Sequence, residues 1–451
     1  MGGFPAHTAP RERAATRTNK RLAIVLTEPY CIRYLRMKIN SIHVILISLV
    51  LTILLVLGHH DLARSATDSL IYDKAQQAQP SFLKHLEQIV NIDSQTNDAK
   101  GLMQVEKLVI DRLKSIGADI KTVTAKPNAG NIIIGTIAGT GRGKILLLAH
   151  TDTVFKQGTV AQRPFKIVNN KAFGPGVMDD KGGILLGVEA LKILKETKFK
   201  DFKTITFLIN SDEETGSIGS RELIKATAKK HDVALVLEFG SPQDKITSWR
   251  KGIGTYGIKV KGRAAHAGAE PEKGCNALVE AAHQTLQLSK LGDSSKQTTI
   301  NFTIFQAGDR RNIIPDTANV EADVRVLEAR EFDRLKNDFT RITKNKLLPC
   351  TQIEIQATPG RPPFPPNPQT DALVKKAVAI YQQIGLKLGV ECSGGGTDGN
   401  YAAIVGTSTL DALGPVGGGA HSATEYIDID RIAPRIYLLT KLIMDLASST
   451  R

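Results

Sequence analysis

Three short apolar runs constrain this chain most: Lys144-Ile-Leu-Leu-Leu-Ala149, Thr204-Ile-Thr-Phe-Leu-Ile209 and Val233-Ala-Leu-Val-Leu237, each followed at once by polar or charged residues. Uninterrupted apolar segments alternating with helical patterns mark an α/β sheet whose strands, mostly parallel, are buried on both faces. The carboxyl ends of such strands open onto one crevice. The residues delivered there are His150-Thr-Asp152, Asn210-Ser-Asp-Glu213-Glu214 and Glu238. Alone, His150 reads as a hydrogen-bonded strand-end histidine and Glu213-Glu214 as a solvated loop. Three such endings in succession argue for convergence on one site. Helices are expected around Ser81–Val90 and Leu102–Ile116, ahead of the first run.

Between the first two strands lies Phe173-Gly-Pro-Gly-Val-Met-Asp179-Asp180-Lys181-Gly182-Gly183, just before an expected helix at Ile184–Leu194. Its glycines permit tight turns, and Asp179 enters the same crevice. A phosphate loop is excluded, because the G-x-x-x-x-G-K-[ST] spacing is missing and two carboxylates would repel a phosphate. Imidazole plus carboxylates, with no thiolate, suits a catalytic Zn²⁺, with Mn²⁺ or Co²⁺ as substitutes.

At 451 residues the chain exceeds one ordinary core, since cores stop growing near roughly 250–300 residues. Its hydrophobic share of 41% and charged share of 23% fit a globular protein. The net charge of +14 is partly local: nine basic and three acidic side chains fall within residues 1–66, leaving +8 for the rest. The remaining basic residues are scattered without interleaved aromatics, so no nucleic-acid partner is expected. Cys31, Cys275, Cys350 and Cys392 show no C-x-x-C spacing. They are expected to be buried thiols, with one disulfide left open.

Ile42 to Leu57 is an apolar run preceded by Arg36 and Lys38 and followed by Ala63-Arg64-Ser65-Ala66, the order of a signal peptide. It is shorter than the ~20 residues of a usual spanning helix. An exported protein, periplasmic or secreted, is expected, with an uncleaved N-terminal anchor as the alternative and the only membrane contact. The polar preface before Met37 is long for a signal peptide, which points to Met37 as the start of translation.

From about residue 254 the pattern becomes strand Thr255–Val260, helix Asn276–Leu291, strands Thr298–Ala307 and Thr317–Leu327, helix Arg330–Asn345 and strand Thr351–Ala357. This β-α-β-β-α-β order is a ferredoxin-like α+β unit. Gly360-Arg-Pro-Pro-Phe-Pro-Pro-Asn-Pro368 is a stiff return link. The expected organisation is an extension and signal peptide or anchor at 1–66, a mixed, mostly parallel α/β catalytic domain at 67–253 and 363–451, and an insert at 254–362.

In combination, His150-Thr-Asp152-Thr-Val, Gly174-Pro-Gly-Val-Met-Asp179-Asp-Lys-Gly, Asp212-Glu213-Glu214-Thr-Gly-Ser, Glu238, Ala265-His266-Ala-Gly, Asn312-Ile-Ile-Pro, Ala322-Asp-Val-Arg325, Ser393-Gly-Gly-Gly-Thr-Asp and Ala420-His421-Ser-Ala-Thr-Glu-Tyr resemble the zinc-dependent aminoacylase/carboxypeptidase family. Within that family they look most like the bacterial glutamate carboxypeptidases of the carboxypeptidase G type. The resemblance spans roughly residues 75–445. It implies a zinc-peptidase catalytic domain with a lid and dimerisation insert, and two Zn²⁺ per subunit. By motif, Asp179 bridges the ions, His150 and Glu238 complete one set, and Glu214 and His421 the other. Glu213 is the implied general base, and Asp152 holds the His150 imidazole in its metal-binding tautomer.

The resemblance further makes His266 an oxyanion donor supplied by the insert of a partner subunit in a homodimer. Asn312, Arg325 and Arg361 are implied to hold the substrate's carboxylates, Gly396 to line the pocket, and Lys245 to touch substrate. Arg325 also reads as an exposed cross-strand charge. The implied reaction is hydrolysis of the amide before a C-terminal glutamate or similar residue in a small peptide or N-acyl amino acid, folate-like N-acyl glutamates included. The alternatives are an N-acyl-amino-acid deacylase of aminoacylase or acetylornithine type on the same fold, and a non-catalytic binding protein for acidic amino-acid derivatives.

Overall fold

The computed structural model describes residues 68–449. The signal-peptide or anchor segment and the Met37 start lie outside these residues. None of the described helices is long and apolar enough to cross a membrane.

Helix α1 runs over 68–90 and α2 over Ala99–Ser115, followed by strands β1 (Asp119–Thr124), β2 (Asn131–Ala138) and β3 (Lys144–His150). Next come α3 (Lys181–Glu196), β4 (Thr204–Asn210), β5 (Val233–Val236) and β6 (Lys245–Arg250). The first helix begins well before the expected Ser81 and continues through Pro80. Ile71, Ala75, Ala78, Phe82, Leu86 and Ile89 form one buried stripe at helical spacing, and burial of that stripe outweighs the lost proline N–H. Helix α2 is capped by Asp98, whose side chain accepts from the Gly101 amide.

The insert contributes β7 (Gly252–Lys261), α4 (Ala277–Leu288), β8 (Thr299–Ala307), β9 (Thr317–Val326), α5 (Arg330–Ile342) and β10 (Gln352–Pro359). The chain then returns through α6 (Pro368–Gln382), β11 (Gly389–Ser393), α7 (Gly399–Ile404), β12 (Ser408–Leu410) and α8 (Ile432–Ser449). The main sheet has the order β1-β2-β4-β3-β5-β12. Strands β4, β3, β5 and β12 are parallel, while β1 and β2 are antiparallel. The parallel strands are buried throughout except at their first residues, as the apolar runs predict. Helix α3 is buried almost all round. Its Gly183 is required by close approach, because a Cβ there would stand 2.2 Å from the Leu237 carbonyl oxygen.

The insert's sheet is antiparallel, in the order β8-β9-β7-β10. It has a core of its own, built around Tyr256, Ile258, Val320, Val324, Leu335 and Phe339. In ferredoxin-like fashion its two helices cover one face, and buried and exposed residues alternate on β9. Cys275 and Cys350 form a disulfide across 75 residues of the insert, and Cys392 is an exposed thiol. The expectation of buried thiols is therefore corrected: the insert brings two cysteines together ahead of α4 and β10, a proximity that sequence spacing does not encode.

Candidate metal centre and substrate cleft

The ends of β3, β4 and β5 bring His150, Glu213, Glu214 and Glu238 to one crevice beside Asp179, which stands just ahead of α3. The peptide between Asp179 and Asp180 is cis. Asp179 presents Oδ1 to His150 Nε2 at 2.9 Å and Oδ2 to His421 Nε2 at 3.1 Å. Glu238 Oε1 lies 3.6 Å from His150 Nε2, and Glu214 Oε2 lies 3.3 Å from His421 Nε2. His421 arrives from beyond the insert, on a left-handed backbone (φ 60°).

Burial raises Glu213 to about 8 and raises Glu238 well above the carboxylate range, Asp179 adding to the effect at Glu238. Burial raises Glu214 as well. Burial also works against an ionised Asp179, but bonds from His150 and His421 hold it below its ordinary value. His421 is raised to about 10, chiefly by its bond to Asp179. Burial alone would lower His150, yet Asp152, Asp179 and Glu238 raise it. Carboxylates this crowded and this buried demand positive charge. Glu214 Oε1 is buried with no hydrogen-bond partner. Two imidazoles, each with its own glutamate and sharing one aspartate, are a donor set that fits metal cations with nitrogen and oxygen ligands.

Asp152 does more than the motif implies. His150 Nδ1 lies 3.0 Å from the Asp152 carbonyl oxygen and 3.3 Å from its carboxylate. The same carboxylate accepts from the backbone amides of Glu213 (3.1 Å) and Glu214 (3.2 Å) and from Thr96. One side chain thus orients both a histidine of the first strand end and the acidic loop of the second.

Two carboxylates missed as separate site residues sit inside motifs read for their neighbours. Glu425, four residues after His421, accepts from the amides of Gly176, Met178 and Asp179 and so holds the glycine-rich turn, and burial raises it to about 7. Asp398 accepts from Asn210, Ser217 and Arg361. The available signal is a carboxylate at the end of each motif, Asp398 after Ser393-Gly-Gly-Gly-Thr and Glu425 after Ala420-His-Ser-Ala-Thr.

The crevice is a cavity of about 820 Å³, whose lining includes Asp179, Glu213, Glu214, Glu238, His421, Arg325, Arg361 and Gly396. Arg325 reaches it from β9, with Nε and Nη2 on Asp323 and Nη1 on the Gly394 carbonyl. Arg361 lies at the cavity wall with its guanidinium largely buried, donating to Glu213 and Asp398. Lys245 pairs with Glu391 at 3.3 Å across β6 and β11, and Glu391, but not Lys245, is part of the cavity lining. His266 and Asn312 lie together on the insert, joined by the Ala267 amide donating to the Asn312 carbonyl, exposed and outside their own chain's cavity.

The chain matches the model of peptidase family M20/M25/M40 over residues 146–445. It is 41% identical over 388 residues to Carboxypeptidase G2 of Pseudomonas sp. (strain RS-16), covering 84% of this chain and 93% of that protein. It is 27% identical over 400 residues to acetylornithine deacetylase of Buchnera aphidicola subsp. Schizaphis graminum, covering 81% and 97%. The crystal structure of aminopeptidase PepT from Bacillus cereus shares the fold, with a TM-score of 0.69 at 24% identity over 82% of this chain and 99% of that one. With its histidine and carboxylate cluster at the strand ends, the chain belongs to peptidase family M20/M25/M40 and is a metal-dependent hydrolase.

Proposed function

We propose that this protein is a two-zinc exopeptidase that hydrolyses the amide bond preceding a C-terminal glutamate or similar residue, N-acyl glutamates of folate type included. The observation that carries the metal reading is Asp179, whose two carboxylate oxygens face different histidines, each backed by its own glutamate. The substrate reading rests on the 41% identical Carboxypeptidase G2. In this reading Asp179 would be shared by the two ions, with His150 and Glu238 holding one and Glu214 and His421 the other. Mn²⁺ and Co²⁺ are substitutes.

Zinc held by these residues would supply Lewis acidity toward the scissile carbonyl and the attacking water. Glu213, buried at the cleft wall, accepts the water's proton and returns it to the leaving nitrogen. Asp152 keeps the His150 ring and the Glu213 backbone in register with each other. Arg325, at the cleft wall, meets the substrate's carboxylate beside the glycine turn that contains Gly396.

Homodimerisation through the insert is part of the same proposal. Strand β8 is an edge strand with exposed Ile304 and Phe305, and α4 exposes Leu286. His266 and Asn312 are exposed and lie outside the lining of their own cleft, which suits delivery to a partner's, where His266 donates to the oxyanion and Asn312 holds substrate. Export is supported by the Cys275–Cys350 disulfide, a bond of oxidising compartments.

A deacylase of acetylornithine type is the second reading, favoured by the 27% identical relative. The deciding experiment is hydrolysis of a substrate panel varying the acyl group and the C-terminal residue independently. Rates that follow the C-terminal residue, with glutamate preferred, are expected. Rates that follow the acetyl group whatever the C-terminal residue would establish the deacylase instead.

A further inference from the structure

Only two segments connect the insert to the catalytic domain, 250–253 on the way out and 359–364 on the way back, and they are bonded to each other. The Arg250 amide donates to the Phe364 carbonyl, the Phe364 amide to the Arg250 carbonyl, the Ile253 amide to the Arg361 carbonyl, and the Gly360 amide to the Ile253 carbonyl. Asn400 clamps the pair from the catalytic side, its side-chain amide donating to the carbonyls of Lys251 (3.1 Å) and Pro362 (2.7 Å). Each segment also sends one buried arginine into the catalytic domain. Arg250 holds Asp411 through Nε at 2.7 Å and Nη2 at 3.0 Å. Arg361 holds Asp398 through Nη1 at 2.8 Å, and Glu213 through Nη2, 2.7 Å from both its Oε1 and its carbonyl oxygen.

Arg361 is 5% exposed, and its remaining surroundings are just as fixed. Nη2 also lies 3.2 Å from Ser217 Oγ, the guanidinium stands over the Tyr401 ring at 5.3 Å, and Asp398 is itself held by Asn210 at 2.7 Å. Either planar donor pair of a guanidinium needs Nη2, and here both Nη2 hydrogens are taken by Glu213 and Ser217. What it does have is a grip on both ends of one residue, the backbone and the side chain of Glu213.

We propose that Arg361 is a positioning residue for Glu213, anchored in the double crossing between insert and catalytic domain, and not a contact for the substrate's carboxylate. This rests on the reading of Glu213 as general base. Its physical content is geometric: one Glu213 oxygen bonded to a guanidinium that cannot rotate leaves the carboxylate a single orientation. Asp152 fixes the same residue through its amide, so base placement is determined by two anchors from distant parts of the chain.

The test uses the full-length, zinc-loaded protein carrying Arg361→Lys, which keeps the charge but cannot fork between Glu213 and Asp398, and separately Asp398→Asn, which loosens the other end of the fork. Misplacement of a reacting group by about 1 Å costs ~100-fold. The expected result is kcat lower by about that factor in Arg361→Lys and lower in the same direction in Asp398→Asn. KM, zinc content and calorimetric affinity for free glutamate should stay at parent values in protein that remains folded at the assay temperature. Raised KM and weakened glutamate binding with kcat retained would overturn the proposal in favour of a substrate clamp. Loss of zinc or of the folded state in both variants would overturn it in favour of a purely structural ion pair. Glu213→Gln, assayed alongside, separates the two readings: parent kcat in that variant means the base assignment has failed, whereas an inactive Glu213→Gln beside a fully active Arg361→Lys means the positioning role alone has failed.

Discussion

Asp179 places its two carboxylate oxygens on different histidines, Oδ1 2.9 Å from His150 and Oδ2 3.1 Å from His421. The two histidines are separated in the chain by the whole insert, so this aspartate joins the two halves of the catalytic domain as well as the two halves of the site. Removing a flanking ligand should therefore empty the site, while removing a base should not. Glu213→Gln is expected to retain its metal and to lose ~100- to 10,000-fold in kcat. His421→Ala and Glu238→Ala are expected to lose metal and rate together. Metal content by elemental analysis beside kcat checks this, and equal metal loss in all three variants would contradict the division of roles.

Glu425 should matter to metal affinity without touching the metal. It accepts three backbone amides around the turn that presents Asp179. Glu425→Ala leaves those amides unpaired and the turn free. Loss of such a supporting contact typically weakens metal binding ~10- to 100-fold. Competition with a chelator measures the change, and an unaltered affinity would remove Glu425 from the centre.

Arg325 offers a specificity test. Its fork is braced by Asp323 on the same strand and by the Gly394 carbonyl, so the group enters the cleft with its orientation already set. Lysine cannot reproduce that bracing or a planar pair of donors. Loss of one charged hydrogen bond costs about 1.5–3 kcal/mol, so kcat/KM for a C-terminal glutamate substrate should fall ~10- to 150-fold in Arg325→Lys. A C-terminal amide analogue should show little further loss. Full activity of the variant on the free acid would place carboxylate recognition elsewhere.

The Cys275–Cys350 disulfide closes a loop of 75 residues within the insert. Removing such a bond typically costs about 2–5 kcal/mol. Cys275→Ser with Cys350→Ser should lower the stability of the insert, seen as faster hydrogen exchange in β7, β9 and β10, while the main sheet keeps its protection. Uniform loss across both sheets would show that the two cores unfold as one unit.

Metal removal should be reversible. Dialysis against a chelator is expected to abolish hydrolysis, and Zn²⁺ to restore it, with Mn²⁺ and Co²⁺ as partial substitutes. Undiminished activity in protein shown to be metal-free would sink the two-zinc reading.

Much of this protein was legible along the chain, and for a definite reason. A parallel strand buried on both faces needs an unbroken apolar run, and its carboxyl end must face the crevice, so the chain alone marks the residues after Ala149, Ile209 and Leu237 for the site. The insert was equally legible, because its strands and helices differ in period, and its elements fall within a few residues of their expected bounds. Other features were decided only by tertiary structure. Arg361 and Glu213 are 148 residues apart, and nothing in the period of either segment says that a guanidinium from a proline-rich link will be buried against a strand-end glutamate. The same holds for Lys245 on Glu391, for Asn400 across both crossings, and for Cys275 with Cys350. Local pattern determines which face of an element is buried. Which polar groups then pair within the buried space depends on how the finished layers bring their edges together.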